Sequence, residues 1–316
     1  MFFDIHAHAY RYQYPTPGGD MLFVAPEELL RIHDELGIEQ AILLPIVSPE
    51  VYVPQSVGEI IDMANASGGR LIPFCNVDPR VYSNTSDAPI GLLLEHYRAL
   101  GCMGLGEVMP NLPWLDPRMQ NLLYHAEKIG FPLIFDMTSR PNDYGILDDP
   151  GMPQLEKCLA RFPGLLFIGH GPAFWAEIAA LREPDDRFGY PDYPVEKEGR
   201  VARLMRDYPN LMVDLSAGSG ENALLRDTDY AVSFLNEFSD RVMFGTDICA
   251  RHNRYKTAQF LLDLRAAGEI SPEAFEGIAR ENAQRYLLSS HSSGPHSAAI
   301  CRFPPWTASG RRRRSQ

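Results

Sequence analysis

No stretch of this 316-residue chain is apolar for long enough to span a bilayer. No basic segment precedes an apolar core at the N-terminus, so neither a membrane protein nor a secretory precursor is expected. No CxxC pair occurs. Cys75, Cys102, Cys158, Cys249 and Cys301 are scattered and odd in number, which suits reduced thiols in an intracellular, cytoplasmic protein rather than a disulfide framework. Positive charge is scarce: the net charge is −12 at pH 7. The last 28 residues, from Ser289, hold five arginines and no acids; the remainder carries 24 basic against 41 acidic residues, −17. A body this acidic is not expected to bind nucleic acid non-specifically. No GxGxxG follows the first apolar run, which argues against a dinucleotide site.

A soluble composition remains, 45% hydrophobic and 22% charged, in a repeated unit of apolar run, polar loop and helical pattern. The runs are Phe2–His8, Gln40–Pro45, Leu71–Val77, Cys102–Val108, Pro132–Met137, Leu165–His170, Leu211–Leu215 and Arg241–Asp247. Helices are expected from Pro26 to Leu36 and over 54–67, 89–100, 116–129, 152–162, a stretch ending at Asp207, 222–238, 256–267 and 272–288. Continuous apolar runs suit parallel strands buried on both faces. Eight strand–helix units over residues 1–288 predict an α/β fold, a (β/α)8 TIM barrel. A doubly wound open sheet is the alternative. The charged, proline-rich segment 182–198 reads as an insertion after strand six, and 289–316 as a disordered basic tail.

Ionisable residues recur where the runs end: His6 and His8, Glu107, Asp136, His170, Asp214 and Asp247. Charged groups are costly inside sheets, and a divalent cation accounts for so many of them at strand ends. His6 and His8, two residues apart on a strand, point the same way. Asp247 reads as a ligand and proton acceptor, the alternative being a helix cap. Glu107 and His170 read as ligands, His170 also as an acid/base. Asp136 is balanced between ligand and turn residue, while Asp214 is read as orienting a ligand histidine. His33, His96 and His125 fall within helices and are read as structural.

These residues resemble the amidohydrolase superfamily, in particular the branch containing aminocarboxymuconate-semialdehyde decarboxylase. The resemblance is carried by Asp4-Ile5-His6-Ala7-His8, Gly104-Leu105-Gly106-Glu107-Val108, Phe167-Ile168-Gly169-His170-Gly171-Pro172, Phe244-Gly245-Thr246-Asp247 and Glu281-Asn282-Ala283-Gln284-Arg285-Tyr286-Leu287. It implies a barrel holding one or two divalent ions, most often Zn2+, with His6, His8 and Asp247 as ligands. Glu107 resembles the strand-four glutamate of the TatD-type hydrolases. Two departures stand out: Asp136 replaces the usual strand-five histidine, and Glu107 stands where many binuclear members have a lysine. Added oxygen ligands favour harder ions such as Mn2+.

The expected function is hydrolysis of a small, anionic molecule through a metal-activated water. Non-oxidative decarboxylation of an unsaturated or aromatic acid is the alternative, and a non-enzymatic barrel a third. Arg140, Arg251 and His252 are candidate anchors for the substrate's charge, with Tyr10, Tyr12, Trp114 and Trp175 as candidate pocket walls. Specificity is expected from loops 9–25, 109–116, 138–151 and 182–199. A small-molecule partner is expected, with no nucleic acid and no membrane; a homodimer is left open.

Overall fold

The computed structural model describes residues 1–15, 19, 21–51, 53–138, 140–253 and 255–288. The tail assigned to 289–316 lies outside the described residues. Eight strands form the frame: β1 (Phe2–Ala7), β2 (Ile38–Leu43), β3 (Leu71–Pro73), β4 (Leu105–Val108), β5 (Leu133–Thr138), β6 (Phe167–His170), β7 (Leu211–Asp214) and β8 (Val242–Met243). Consecutive strands pair in parallel within two sheets, β1 to β3 and β4 to β8. Two parallel bridges join the sheets: Cys75 to Leu105 between β3 and β4, and Ala7 to Ile248 just beyond β8. An open sheet has no such closing pair, so the fold is the closed barrel.

The outer helices follow local signals. Pro26–Leu36 begins with proline, carries Glu27 and Glu28 in its first turn and stops at Gly37, whose φ is 69°. Proline is pre-shaped for a first turn, acids favour the positive end of the helix dipole, and glycine tolerates the left-handed terminus. The expected helix 222–238 is instead two, Ala217–Leu225 and Thr228–Glu237. Asp227 divides them: its carboxylate accepts from Tyr230 N at 3.1 Å and starts the second helix. The final helix is α-helical over Pro272–Glu276 and then runs mainly in wider π turns, Gly277–Glu281 and Gln284–Leu288. Insertion 182–198 contains one short 3-10 turn, Pro184–Phe188. Among the described residues no helix is long and apolar enough to cross a membrane.

The barrel interior is a buried cluster of Ile5, Ile42, Ile134, Ile168, Met212 and Met243, with Phe74 beside them. Each fully buried aliphatic side chain contributes about 1.5–3 kcal/mol. Strand β4 makes room for Phe74: a Cβ on the adjoining Gly104 would lie 2.3 Å from its ring. This packed floor leaves only the C-terminal rim of the barrel for polar groups.

Candidate metal centre

The rim is built on β1. His6 and His8 are fully buried, and their Nε2 atoms converge to 3.1 Å. The other ring nitrogen of each is engaged. His6 Nδ1 lies 2.7 Å from Asp214 Oδ2, and His8 Nδ1 lies 2.9 Å from the Leu44 carbonyl. Both partners only accept, so both Nδ1 atoms carry hydrogen, and in the neutral rings, the form that binds a cation, both Nε2 lone pairs face each other. Glu107 Oε2 lies 3.5 Å from His6 Nε2 and 3.6 Å from His8 Nε2. Asp247 Oδ1 completes the group at 3.6 and 3.3 Å.

His170 obeys the same logic. Ser216 Oγ donates to Asp214 Oδ2 at 2.8 Å, which uses its one hydrogen. Its 3.0 Å contact with His170 Nδ1 is therefore a bond it accepts. That leaves the His170 Nε2 lone pair toward Glu107 Oε1, 3.7 Å away. Asp136 pairs with His170 across β5 and β6, and Glu107, Asp136 and His170 form a second compact group of donors.

Several residues hold this geometry. Asp4, fully buried, accepts from His6 N at 3.0 Å, Thr246 N at 2.9 Å and Thr246 Oγ1 at 2.5 Å, tying the start of the ligand strand to the approach to Asp247. Asp247 N donates to the His6 carbonyl at 2.7 Å, and Asp247 itself takes a left-handed φ of 53°. Gly171, φ 94°, lets the chain turn after His170; a Cβ there would sit 2.0 Å from Asp136 Oδ1.

The electrostatics call for positive charge. Burial alone would lower the His6 pKa, but the charges of Asp214, Glu107 and Asp247 raise it well above its ordinary 6.5. Burial is likewise overridden at His8, which Asp247 and Glu107 raise to about 9. Glu107 is held well below the carboxylate range against its burial by His6, His8 and His170. Burial, then the charges of Glu107 and Asp247, push Asp136 well above that range. Opposed imidazole lone pairs flanked by carboxylates suit a divalent cation: it satisfies both lone pairs and relieves the crowded acids. His6, His8 and Asp247 bring donor atoms close enough together to hold one, and Glu107 Oε2 borders them.

A cavity of about 300 Å3 opens on this centre, with His8, Glu107, Asp136, His170 and Asp247 at its base. Each of the four expected loops contributes to the wall, through Phe23, Met109, Tyr144 and Tyr190; Ile46 and Val51 come from a loop that the sequence did not single out. The expected anchors lie elsewhere. Arg140 donates to the Phe188 carbonyl and stacks on that ring. Arg251 is exposed and pairs with Glu28, and His252 is exposed outside the cavity wall. Trp175 is buried, its Nε1 donating to the Asp214 carbonyl at 2.9 Å. Trp114 and Tyr10 are also core residues, and Tyr12 is exposed. Large aromatics gain more from core burial than from a place on the wall.

Closed parallel barrel, paired histidines at the end of the first strand and acids on the fourth strand and just beyond the eighth are the marks of a metal-dependent enzyme of the hydrolase barrel class. The family model described as Amidohydrolase matches residues 4–287, and the chain belongs to the amidohydrolase family. Solved structures share the fold. An uncharacterised TIM-barrel protein from Bordetella bronchiseptica has 17% identity and TM-score 0.58, covering 90% of this chain and 98% of its own. A probable 2-pyrone-4,6-dicarboxylic acid hydrolase from Acinetobacter baumannii, solved with citric acid bound, has 13% identity and TM-score 0.56, covering 90% and 98%. A dihydroorotase from Campylobacter jejuni has 13% identity and TM-score 0.50, covering 90% and 82%. No curated protein matches the chain.

Proposed function

We propose that this protein is a metal-dependent hydrolase of a small molecule, and that His6, His8, Glu107 and Asp247 hold the ion. The convergence of the two Nε2 lone pairs at 3.1 Å carries the reading. A divalent cation bound there supplies Lewis acidity and acidifies water, to a pKa of roughly 7 for zinc. Zinc is favoured by the two imidazoles; the carboxylates also admit Mn2+. Glu107 turns Oε2 to the histidine pair and Oε1 to His170, which supports a second ion held by Glu107, Asp136 and His170.

The chain's own groups divide the remaining work. Asp247, whose side chain is 24% exposed against 6% for Glu107 and none for His8, is the proposed ligand most open to the cavity. It takes the proton of the attacking water and passes it to the leaving group. Asp214 fixes the His6 ring, and Ser216 fixes His170. Where a second ion is not held, His170, once protonated at Nε2, polarises the scissile group by donating from that nitrogen.

Decarboxylation is the second reading, favoured by the largely apolar upper wall of Phe23, Ile46, Val51 and Met109, which suits an unsaturated or aromatic ring. Here His170 assists protonation of the carbon that loses CO2. Zinc-loaded protein tested on a panel of lactones, amides and aromatic acids separates the two. Ring-opened or cleaved product without CO2 supports hydrolysis; CO2 release overturns it in favour of the second reading.

A further inference from the structure

The cavity wall contains no arginine or lysine among the described residues. Among those residues a substrate carboxylate must find donors other than a cationic side chain. The nine-residue helix Ala217–Leu225 begins just beyond β7, with Ala217 and Ser219 in the wall. The residue before it, Ser216, does not cap it, because that hydroxyl is turned to Asp214 and His170. Ala217 N reaches the Thr246 carbonyl at 3.3 Å and Gly220 N reaches that of Ser216 at 3.1 Å. The N–H groups of Gly218 and Ser219 between them have no acceptor among the described residues.

Ser219 supplies an independent sign. It is 1% exposed, and its hydroxyl has no hydrogen-bond partner although the residue stands in the cavity wall. A buried hydroxyl left unpaired is costly, and native structures leave few of them. Ser219 is also the third residue of its helix, beside the N–H groups that lack acceptors. The Tyr190 hydroxyl borders the same turn: a Cβ on Gly218 would lie 3.4 Å from it. Tyr190 lines the cavity too.

We propose that the start of helix Ala217–Leu225 is a carboxylate subsite. The Ser219 hydroxyl and the Gly218 and Ser219 N–H groups hold a substrate carboxylate other than the group presented to the histidines, with the Tyr190 hydroxyl as a further donor. The positive end of the helix supplies a charge complement that no side chain of the described wall residues provides. The substrate class is then a small carboxylic acid carrying a second, reactive polar group. This rests on the reading of the cavity as the substrate site of the metal centre.

The test is calorimetric titration of the full, zinc-loaded chain with malonate, succinate, glutarate and adipate. Wild type is expected to bind at least one of them. Ser219→Ala is expected to weaken that binding about tenfold or more, as for hydrogen bonds to a charged group. It leaves zinc affinity within twofold and does not lower Tm, because the deleted hydroxyl has no partner in the protein. Tyr190→Phe gives a smaller loss. Unchanged dicarboxylate affinity in Ser219→Ala, a parallel fall in zinc affinity or Tm, or no dicarboxylate binding to wild type would each overturn the proposal. Failure of the metal reading shows separately, as absent zinc uptake by wild type; the same titrations without zinc then judge the subsite.

Discussion

Replacing Asp214 with asparagine tests how the protein holds His6. The carboxylate receives three hydrogen bonds: His6 Nδ1 at 2.7 Å and Ser216 Oγ at 2.8 Å on Oδ2, and Ser216 N at 2.8 Å on Oδ1. Asparagine keeps the shape but offers one oxygen and one NH2 group. Whichever way the amide turns, its NH2 meets a donor, either Ser216 N or His6 Nδ1 with Ser216 Oγ. The negative charge that makes His6 a better ligand is lost in both cases. Changes to such supporting partners of a ligand histidine cost about 10–100-fold in metal affinity. That corresponds to about 1.4–2.8 kcal/mol at 1.4 kcal/mol per decade. Competition for Zn2+ against a chromophoric chelator, on protein whose circular dichroism matches wild type, measures it. Affinity within twofold of wild type would refute the claim that Asp214 orients and charges the ligand.

Two further outcomes follow from the packing. Thr246→Val deletes a donor to fully buried Asp4 and is expected to cost about 1–3 kcal/mol of unfolding free energy by urea titration; a change under 0.5 kcal/mol would show that Asp4 does not depend on Thr246. Burial works against ionisation of Glu50, but hydrogen bonds from Arg80 and Ser48 hold its pKa at about 2, below its ordinary 4.5. The stabilisation is therefore complete above pH 4.5 and is lost as pH falls through 2. In Arg80→Gln the stability gap to wild type is expected to narrow from pH 5 to pH 2; a constant gap over that range would contradict the pairing.

The frame was legible because parallel barrel strands are apolar on both faces, so all eight runs stood out from their surroundings. The metal candidates were legible for the opposite reason. His6, His8, Glu107, His170 and Asp247 interrupt or end those runs, where charge is costly without a partner. Asp4 carried the same signal, a carboxylate between Phe3 and Ile5, but its partner Thr246 lies across the barrel closure and no local pattern names it. The loops that form the cavity wall could be located, yet their side chains could not be sorted. Arg140 turns to Phe188 and Trp175 to the Asp214 carbonyl, while Tyr144, Tyr190 and Ser219 reach the wall. Loop conformation and burial settle those directions, and neither has a sequence period.

The central claim is that His6, His8, Glu107 and Asp247 together hold a divalent cation. Anomalous diffraction at the zinc edge, from crystals of the 316-residue chain grown with Zn2+, tests it most directly. The expected result is a strong peak within about 2.0–2.2 Å of His6 Nε2, His8 Nε2 and an Asp247 oxygen, absent in His6→Ala. A map with no peak at the barrel rim, in crystals that bind zinc elsewhere, would contradict the account.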